Sequence, residues 1–494
     1  MDKFGLGGIT HNFDIAFIRP LPYIHMALMH AAFGHLSALP YHAWNIVLHG
    51  VNAFLVFSLF VTLTKLYAGE EEILKFVGIG AGLLFLILPY QTEAVTWVAA
   101  TVDLIVTTWV LVSLILFLKH KISGAKKHLY GSAAVFFLAL MSKESSIFLP
   151  LFIFVIECIE YLPKRNVIQP FKTVLLYACW FPLYIFMRYY FLGELIGGYH
   201  EVHTSFHASL IIYNAILYSA KFFVFYRLLP EQLKEVFKLI FHNRIILVAS
   251  VLVVLGALIY LRHQLKSLVT NKIFLIVSVG FFCSLIPVIN LETSFIGDSQ
   301  SDRYGYLPSI FFCVLFTFML NRFVNRQVFF VIGLGLAAWF YIGIQKINSN
   351  WLAGSAIAEP LIKNFNPPNG IAYIFNLPDN FNGTYMLRTG FGDGVSLIRK
   401  KDYSKNIITL AYHPLQSAVD SIHVSRLDSN TFDVELTNIH TRFYFADKLF
   451  AHNPNSEKYS ILNYSDTNYV VRFKELKKDD QLYYYTSGKL LPLN

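Results

Sequence analysis

The sequence predicts a polytopic α-helical membrane protein with a small β-rich region at its C-terminal end. Three observations carry that reading. The 494 residues are 55% hydrophobic and only 14% charged, with a mean hydropathy of +0.50, whereas an ordinary soluble domain is about 25% charged. Long apolar runs recur from residue 42 to residue 346 and are separated by short polar loops. After Trp351 the pattern changes to alternating polar and apolar residues punctuated by Asn, Gly, Asp and Pro, the signature of strands joined by turns. The expected division is therefore 1–350, a transmembrane domain, and 351–494, a β-rich, sandwich-like domain.

A span needs about 20 largely apolar residues. Ten segments approach that: 42–65, 75–90, 94–118, 127–141, 144–161, 171–190, 246–262, 273–291, 305–321 and 327–346. "MSKESS", Met141 to Ser146, splits a run of about 35 apolar residues. At 1.5 Å per residue that run would be about 50 Å long, too long for one span, so a tight hairpin is expected with Lys143 and Glu144 at its tip. Residues 19–37 are read as a helix on the membrane surface, with Pro20 and Pro22 in its first turn, where a missing backbone N–H costs nothing. Residues 207–229 are apolar enough to span, but one more crossing would invert everything downstream, so they are read as re-entrant or interfacial. Asn45, His49 and Asn52 follow at i, i+4 and i+7 on one stripe of the first full span; the plain expectation for that stripe is interhelical hydrogen bonding.

Lysine and arginine in short loops set the orientation. Lys119, Lys121, Lys126 and Lys127, then Lys164, Arg165 and Lys172, then Arg262, Lys266 and Lys272, and finally Arg322 and Arg326 all fall on one side if the ten spans alternate. That side is expected to be the cytoplasm. The net charge of +9 and pI near 9.1 then belong to cytoplasmic loops rather than to nucleic-acid binding. Lys234, Lys238 and Arg244 land on the other side, against the rule. By the same parity the chain starts outside, which predicts a further span ahead of Met1. The four cysteines, Cys158, Cys179, Cys283 and Cys313, all lie in apolar runs, so neither a disulfide framework nor a thiolate metal site is expected.

The alternation gathers polar clusters on the outer face: Arg19, Glu93, Lys143 with Glu144, Arg188, and Asp298, Asp302 and Arg303 in "DSQSDRYGYLP". Charges at a membrane are expensive and often functional; taken singly, each could equally be a snorkelling anchor or a structural ion pair. Together they supply what a phosphate-bearing substrate and a hydroxyl acceptor need. Arginine offers phosphate a planar fork of donors, and a carboxylate can take a hydroxyl proton. His200, His203 and His207 have a helical spacing that would suit a divalent metal. No other cofactor is called for.

Four stretches resemble the GT-C glycosyltransferases, in particular the protein O-mannosyltransferase-like branch that includes the TPR-bearing transmembrane transferases. They are "IRPLPYIHMALMHAAFGHLSALPYHAWNIVLHGVNAFL", "LPYQTEAVTWVAATVDLI", "LALMSKESSIFLPL" and "DRYGYLPSIFF", in that order from about residue 17 to 350. The resemblance implies a GT-C-like bundle that moves a sugar from a polyprenyl-phosphate donor to a hydroxyl of a protein or glycan acceptor, on the non-cytoplasmic face and with inversion. By position, Glu93 and Asp103 match acidic positions, Lys143 and Glu144 the Ser-Lys-Glu motif, and Arg303 the arginine before Tyr-Leu-Pro; with the outer-face charges this makes Glu93 the catalytic candidate, and Arg19, Lys143, Arg188 and Arg303 the candidates to hold the donor phosphate. Asp103, Glu144, Asp302, Tyr304 and Tyr306 would line the site, with both tyrosines at the level of the interface. Thr101 stands where the family often has Arg. No TPR array follows the last span. The family places its catalytic acid in the first outer loop, ahead of the Arg-Pro-Leu motif; here Asp14 is the candidate nearest that motif. The expected setting is a bacterial inner membrane, with membrane lipids around the spans and the active face and C-terminal domain periplasmic. Two other classes fit the same composition: a non-catalytic scaffold or lipid-binding relative, and a lipid or glycan transporter, which would show internal repeats.

Overall fold

The computed structural model describes residues 17–34, 37–68, 72–193, 207–225, 228–260, 270–290, 299–387, 390–403, 405–417, 422–437, 442–445 and 456–493. The chain divides into two compact units, with the boundary between Ile344 and Gln345.

The first unit is helical. In chain order its helices are α1 (Pro20–Phe33), α2 (Leu39–Tyr67), α3 (Glu72–Ile87), α4 (Thr92–Thr96), α5 (Thr101–Ser123), α6 (Lys126–Leu140), α7 (Phe148–Tyr161), α8 (Ile168–Ala178), α9 (Trp180–Leu192), α10 (Ala208–Val224), α11 (Glu231–His242), α12 (Arg244–Tyr260), α13 (Lys272–Ile289), α14 (Pro308–Phe323) and the start of α15 (Arg326–Asn364). Among the described residues six helices are long and apolar enough to cross a membrane: Leu39–Tyr67, Val98–Ser123, Glu144–Lys164, Ile168–Leu192, Lys272–Ile289 and Arg326–Asn364. Lys75–Ile87 and Pro89–Thr96, bent by 50° at Leu88, make a seventh if they form one broken span. The remaining expected spans are helices too, but short: α6, α12 and α14 have 15, 17 and 16 residues. At 1.5 Å per residue these reach about 22–26 Å, against a hydrocarbon core of about 30 Å.

These helices are apolar on the outside as well as the inside. α2 buries Asn45, His49, Asn52, Val56, Leu59 and Leu63 on one stripe, yet Ile46, Val47, Val51 and Phe54 on its other faces are exposed. Ile245 is 81% exposed and Val253 72%. Apolar surface of this extent requires a non-aqueous surround. Inside, small residues let backbones approach. On α3, Gly78 and Gly82 sit one turn apart against Phe57 of α2, and a Cβ on Gly82 would come within 2.9 Å of the Ala53 carbonyl oxygen, the small-xxx-small contact of membrane helices. On α13 a Cβ on Gly280 would lie 2.5 Å from the Phe311 ring and 2.9 Å from Phe152. Gly280→Ala is therefore expected to destabilise the bundle by about 1–3 kcal/mol through overpacking, read as a lower unfolding midpoint in detergent; Gly131, whose Cβ would meet its nearest neighbour at an ordinary 3.7 Å, is the control site.

Side-chain contacts define two ends of the bundle. α2 and α5 run parallel, since Asn45 meets Thr101 and Asn52 meets Leu104 and Thr108, while Tyr67 at the end of α2 and Lys121 at the end of α5 both reach Glu160 of α7. On α5, Asp103 and Lys121 are 18 residues apart, about 27 Å along the helix. The turn between α6 and α7, with a 3-10 segment at Glu144–Ile147, is the expected hairpin and lies at the Asp103 end, where Lys143 meets Asp103. α10 packs across that same end. Its Asn214 donates to the Ile289 carbonyl at 2.7 Å, its Lys221 carbonyl accepts from Tyr90, and its Phe222 packs on Phe281 and Phe312.

Among its described residues the second unit holds ten strands: β1 (Ala372–Phe381), β2 (Thr384–Tyr385), β3 (Ile407–Leu415), β4 (Ile422–Arg426), β5 (Thr431–Leu436), β6 (Tyr444–Phe445), β7 (Tyr459–Tyr464), β8 (Asn468–Phe473), β9 (Gln481–Thr486) and β10 (Lys489–Pro492). They form two sheets, β10-β9-β1-β3-β6 with β2 beside β1, and β4-β5-β8-β7. The second sheet is antiparallel throughout. The first departs from the sandwich expected: β1 pairs parallel with both β3 and β9. The stretch "FGDGVSLIR" is not a strand but helix α16 (Phe391–Arg399), the crossover between β1 and β3. Parallel neighbours require such a crossover, and Phe391 and Val395 at i and i+4 supply its buried face. One face of the first sheet packs Tyr373 and Phe375 against Phe432, Tyr469 and Phe473 of the second. Its other face packs Ile374 and Leu377 against Phe391 and Val395 of α16. Covered on both sides, β1 is buried along nearly its whole length.

Candidate functional site

The charges singled out in the sequence come together at the Asp103 end of the helical unit, and they come together in pairs. Arg303, in the 3-10 segment Ser299–Gly305 that leads into α14, gives Nη1 to Glu93 Oε1 at 2.7 Å and its backbone N–H to Glu93 Oε2 at 3.0 Å. Its guanidinium lies 4.8 Å from the ring centres of both Trp97 and Tyr304. Cation–π contact on two sides and a carboxylate on the third leave it little freedom. Lys143 meets Asp103 Oδ1 at 2.5 Å and lies 5.5 Å from the centre of the Tyr304 ring. Tyr304 thus joins the Arg303 and Lys143 pairs.

Glu144, next in the chain, accepts from Arg19 Nη2 at 2.8 Å and Nε at 3.2 Å. Arg188 of α9 stands 3.8 Å from its other oxygen, to which Tyr184 also donates. Asp302 is fully buried and pairs with Lys221 of α10 at 2.5 Å. The result is a platform of five cations, Arg19, Lys143, Arg188, Lys221 and Arg303, and four carboxylates, Glu93, Asp103, Glu144 and Asp302. Among these nine described residues one positive charge is in excess. Side-chain exposure runs from 0% at Asp302 to 23% at Glu144. Such burial makes each ion dependent on its partner.

The four carboxylates are not equivalent. Both oxygens of Glu93 are engaged by Arg303, which suits Glu93 to orienting that guanidinium rather than to taking a proton. Asp103 has Oδ1 on Lys143, while its buried Oδ2 has no hydrogen-bond partner among the described residues.

Tyr306 is not at the surface, as expected of an interfacial phenol, but wholly buried between helices. His49 Nδ1 lies 2.8 Å from its hydroxyl and His49 Nε2 3.1 Å from the Leu86 carbonyl. A carbonyl only accepts, so Nε2 carries the proton and Nδ1 of the neutral ring accepts from Tyr306. Asn52 Nδ2 donates to the same phenol oxygen at 3.2 Å. The i, i+4, i+7 stripe is therefore interhelical hydrogen bonding. Tyr306→Phe strands His49 Nδ1 and is expected to cost about 1–3 kcal/mol, measured as a lower unfolding midpoint, with the charged platform's ion pairs intact.

His207 is exposed at the start of α10, and the described residues hold no group of three or more His, Cys, Asp or Glu fit for a metal. Asp14, His200, His203 and Asp298 lie outside the described residues. Sequence reasoning missed Lys221, whose signal was a single lysine inside the apolar run 207–229, and Trp97, one of many aromatic residues at the end of an apolar run. No protein-family model, curated protein or solved structure matches the chain.

Proposed function

We propose that this chain is a membrane glycosyltransferase of GT-C type that moves a sugar from a polyprenyl phosphate to a hydroxyl of a protein or glycan. The observation that supports it best is the platform itself: among the described residues, five cations paired with four carboxylates at one end of an apolar bundle. A lipid-linked phosphate reaches such a place with its chain in the hydrocarbon and its head at the lip of the spans. Arg303 is pre-set by Glu93, Trp97 and Tyr304, so little side-chain entropy remains to be lost when it binds. Phosphate oxygens would accept from its guanidinium, and Lys143 shares the Tyr304 ring with it. On this reading the short helices α6, α12 and α14 also cross, giving about ten spans. The basic loops are cytoplasmic, the platform and the C-terminal unit face the periplasm of a bacterial inner membrane, and the C-terminal unit is an accessory domain.

The test is binding of polyprenyl phosphate to the purified protein in detergent. Saturable binding that weakens with added inorganic phosphate, and that dioleoyl phosphatidylcholine does not displace, is the expected result. A second reading is a non-catalytic lipid-phosphate-binding relative. It is favoured by the engagement of both Glu93 oxygens by Arg303, which ties the carboxylate expected to be catalytic into an ion pair. It predicts the same binding without sugar transfer.

A further inference from the structure

Helix α11 (Glu231–His242) is two-sided. Leu233, Val236 and Ile240 follow at i, i+3 and i+7, with Leu239 beside them, and form an apolar stripe. Glu231, Lys234, Glu235 and Lys238 follow at i, i+3, i+4 and i+7 on the opposite face. In a soluble bundle such a stripe is buried against neighbouring elements. Here it is open: Leu233 is 48% exposed, Val236 54% and Leu239 63%. The 12 residues of α11 rise only about 18 Å, too little to cross a hydrocarbon core of about 30 Å.

The neighbours of α11 in the chain say where it lies. Before it, α10 packs across the Asp103 end through Asn214 and the Lys221 carbonyl. After it comes α12, whose Ile245, Val248, Leu252 and Val253 are exposed apolar surface. Asn243 between the two helices is extended, with φ −100° and ψ 105°. Its Oδ1 accepts from the backbone N–H groups of Ile245 and Ile246 at 3.0 and 3.3 Å. That cap starts α12 afresh, so α11 and α12 are separate helices and not one long span. The open stripe of α11 runs on, along the chain, into the lipid-facing surface of α12.

We infer that α11 lies flat in the headgroup region of the leaflet at the Asp103 end, with Leu233, Val236, Leu239 and Ile240 in the lipid. Its partner is the lipid surface, held through apolar burial and not through charge. A helix of this kind seats its apolar face about 5–10 Å into the boundary between headgroups and acyl chains. The polar face carries two lysines and two glutamates, so an anionic surface adds no net attraction. Lys234 and Lys238, which stood against the loop-charge rule, thereby find their place: each follows a glutamate by three residues, Glu231 and Glu235, on a helix at the surface and not in a free loop. This seating does not depend on sugar transfer.

The test uses the full chain in phosphatidylcholine vesicles. Dansylalanine, whose emission reports its surroundings, is placed by stop-codon suppression at Val236 on the apolar stripe or at Glu235 on the polar face. Leu239 is the second apolar site, should the Val236 variant fold poorly. Quenching is read from phosphatidylcholine carrying a nitroxide near the head of its acyl chain, and from iodide in the water. Val236 is expected to give blue-shifted emission and lipid quenching about threefold or more that at Glu235, as seating at the headgroup–acyl boundary requires. Iodide is expected to reach Glu235 and not Val236. The same values are expected when part of the phosphatidylcholine is replaced by phosphatidylglycerol. Iodide quenching at both sites with lipid quenching at neither would place α11 in water and overturn the seating. Protection of Val236 from both quenchers would mean that protein covers the stripe, a second copy or another chain, and would overturn it too. Lipid quenching that appears only with phosphatidylglycerol would overturn the apolar basis of the contact.

Discussion

Arg303→Ala is expected to abolish polyprenyl-phosphate binding and to weaken the fold at once. The two effects have different causes and can be separated. The guanidinium offers a phosphate charge-assisted hydrogen bonds worth about 1.5–3 kcal/mol each. Losing two such bonds weakens binding by roughly 100-fold or more. Lysine keeps the charge but not the fork, so Arg303→Lys recovers only part of the affinity. The stability loss comes from Glu93, whose side chain is 4% exposed. Removing one partner of a buried pair leaves the other charge stranded, at about 3–5 kcal/mol. Replacing both, Glu93→Leu with Arg303→Met, is expected to return most of that stability and none of the binding. Thermal unfolding in detergent reads the first quantity, and a titration with polyprenyl phosphate reads the second. If the double variant still bound polyprenyl phosphate normally, Arg303 would be only a structural ion.

Lys121→Met is expected to destabilise the protein as strongly, without touching the donor. Lys121 lies at the opposite end of α5 from Asp103. It meets Glu157 at 3.1 Å and Glu160 at 2.6 Å, Tyr67 donates to Glu160 at 2.5 Å, and the Tyr161 ring lies 4.4 Å beneath its ammonium. Three helices, α2, α5 and α7, are joined there by one cation. The side chains of Glu157 and Glu160 are 2% and 13% exposed, so removing the lysine strands two carboxylates. A loss of about 4 kcal/mol or more follows from the cost of a single stranded charge. Adding Glu157→Gln to Lys121→Met removes one of the stranded charges and is expected to recover part of it. Unfolding midpoints of the two variants check this, and polyprenyl-phosphate binding by the folded fraction is expected to be unchanged in both.

The two ends of the bundle show what could and could not be read from the chain. Arg19, Lys143, Glu144, Arg188 and Arg303 were legible because each breaks an apolar run, and a charge there has few ordinary reasons to exist. Their gathering at one end followed from the alternation of spans. Their pairing did not, because Arg19 and Glu144 are 125 residues apart and Glu93 and Arg303 are 210 apart. Periodicity carries no information about contacts at such separations. The same limit hid the engagement of both Glu93 oxygens, and with it the difference between Glu93 and Asp103. Glu157 and Glu160, inside the segment read as 144–161, offered the same signal as Lys143 and went unused. Tyr306 was misplaced because a phenol at the lip of a span reads as an interfacial anchor, whereas here His49 and Asn52 on a distant helix supply partners that let it be buried. In the second unit the alternation marked the strands, but it also took in Phe391–Arg399, which is a helix. It cannot tell parallel from antiparallel neighbours, and so it missed the crossover through α16.

Transfer itself is the most direct measure of the account. The purified chain is placed in liposomes with polyprenyl phosphate bearing a tritiated hexose, and membrane extract of the source cell is supplied as acceptor. The account predicts that label leaves the lipid for protein or glycan in the presence of the wild type, and stays on the lipid with Arg303→Ala. Label that remains on the lipid with the wild type, across mannose, glucose and N-acetylglucosamine donors, would contradict it.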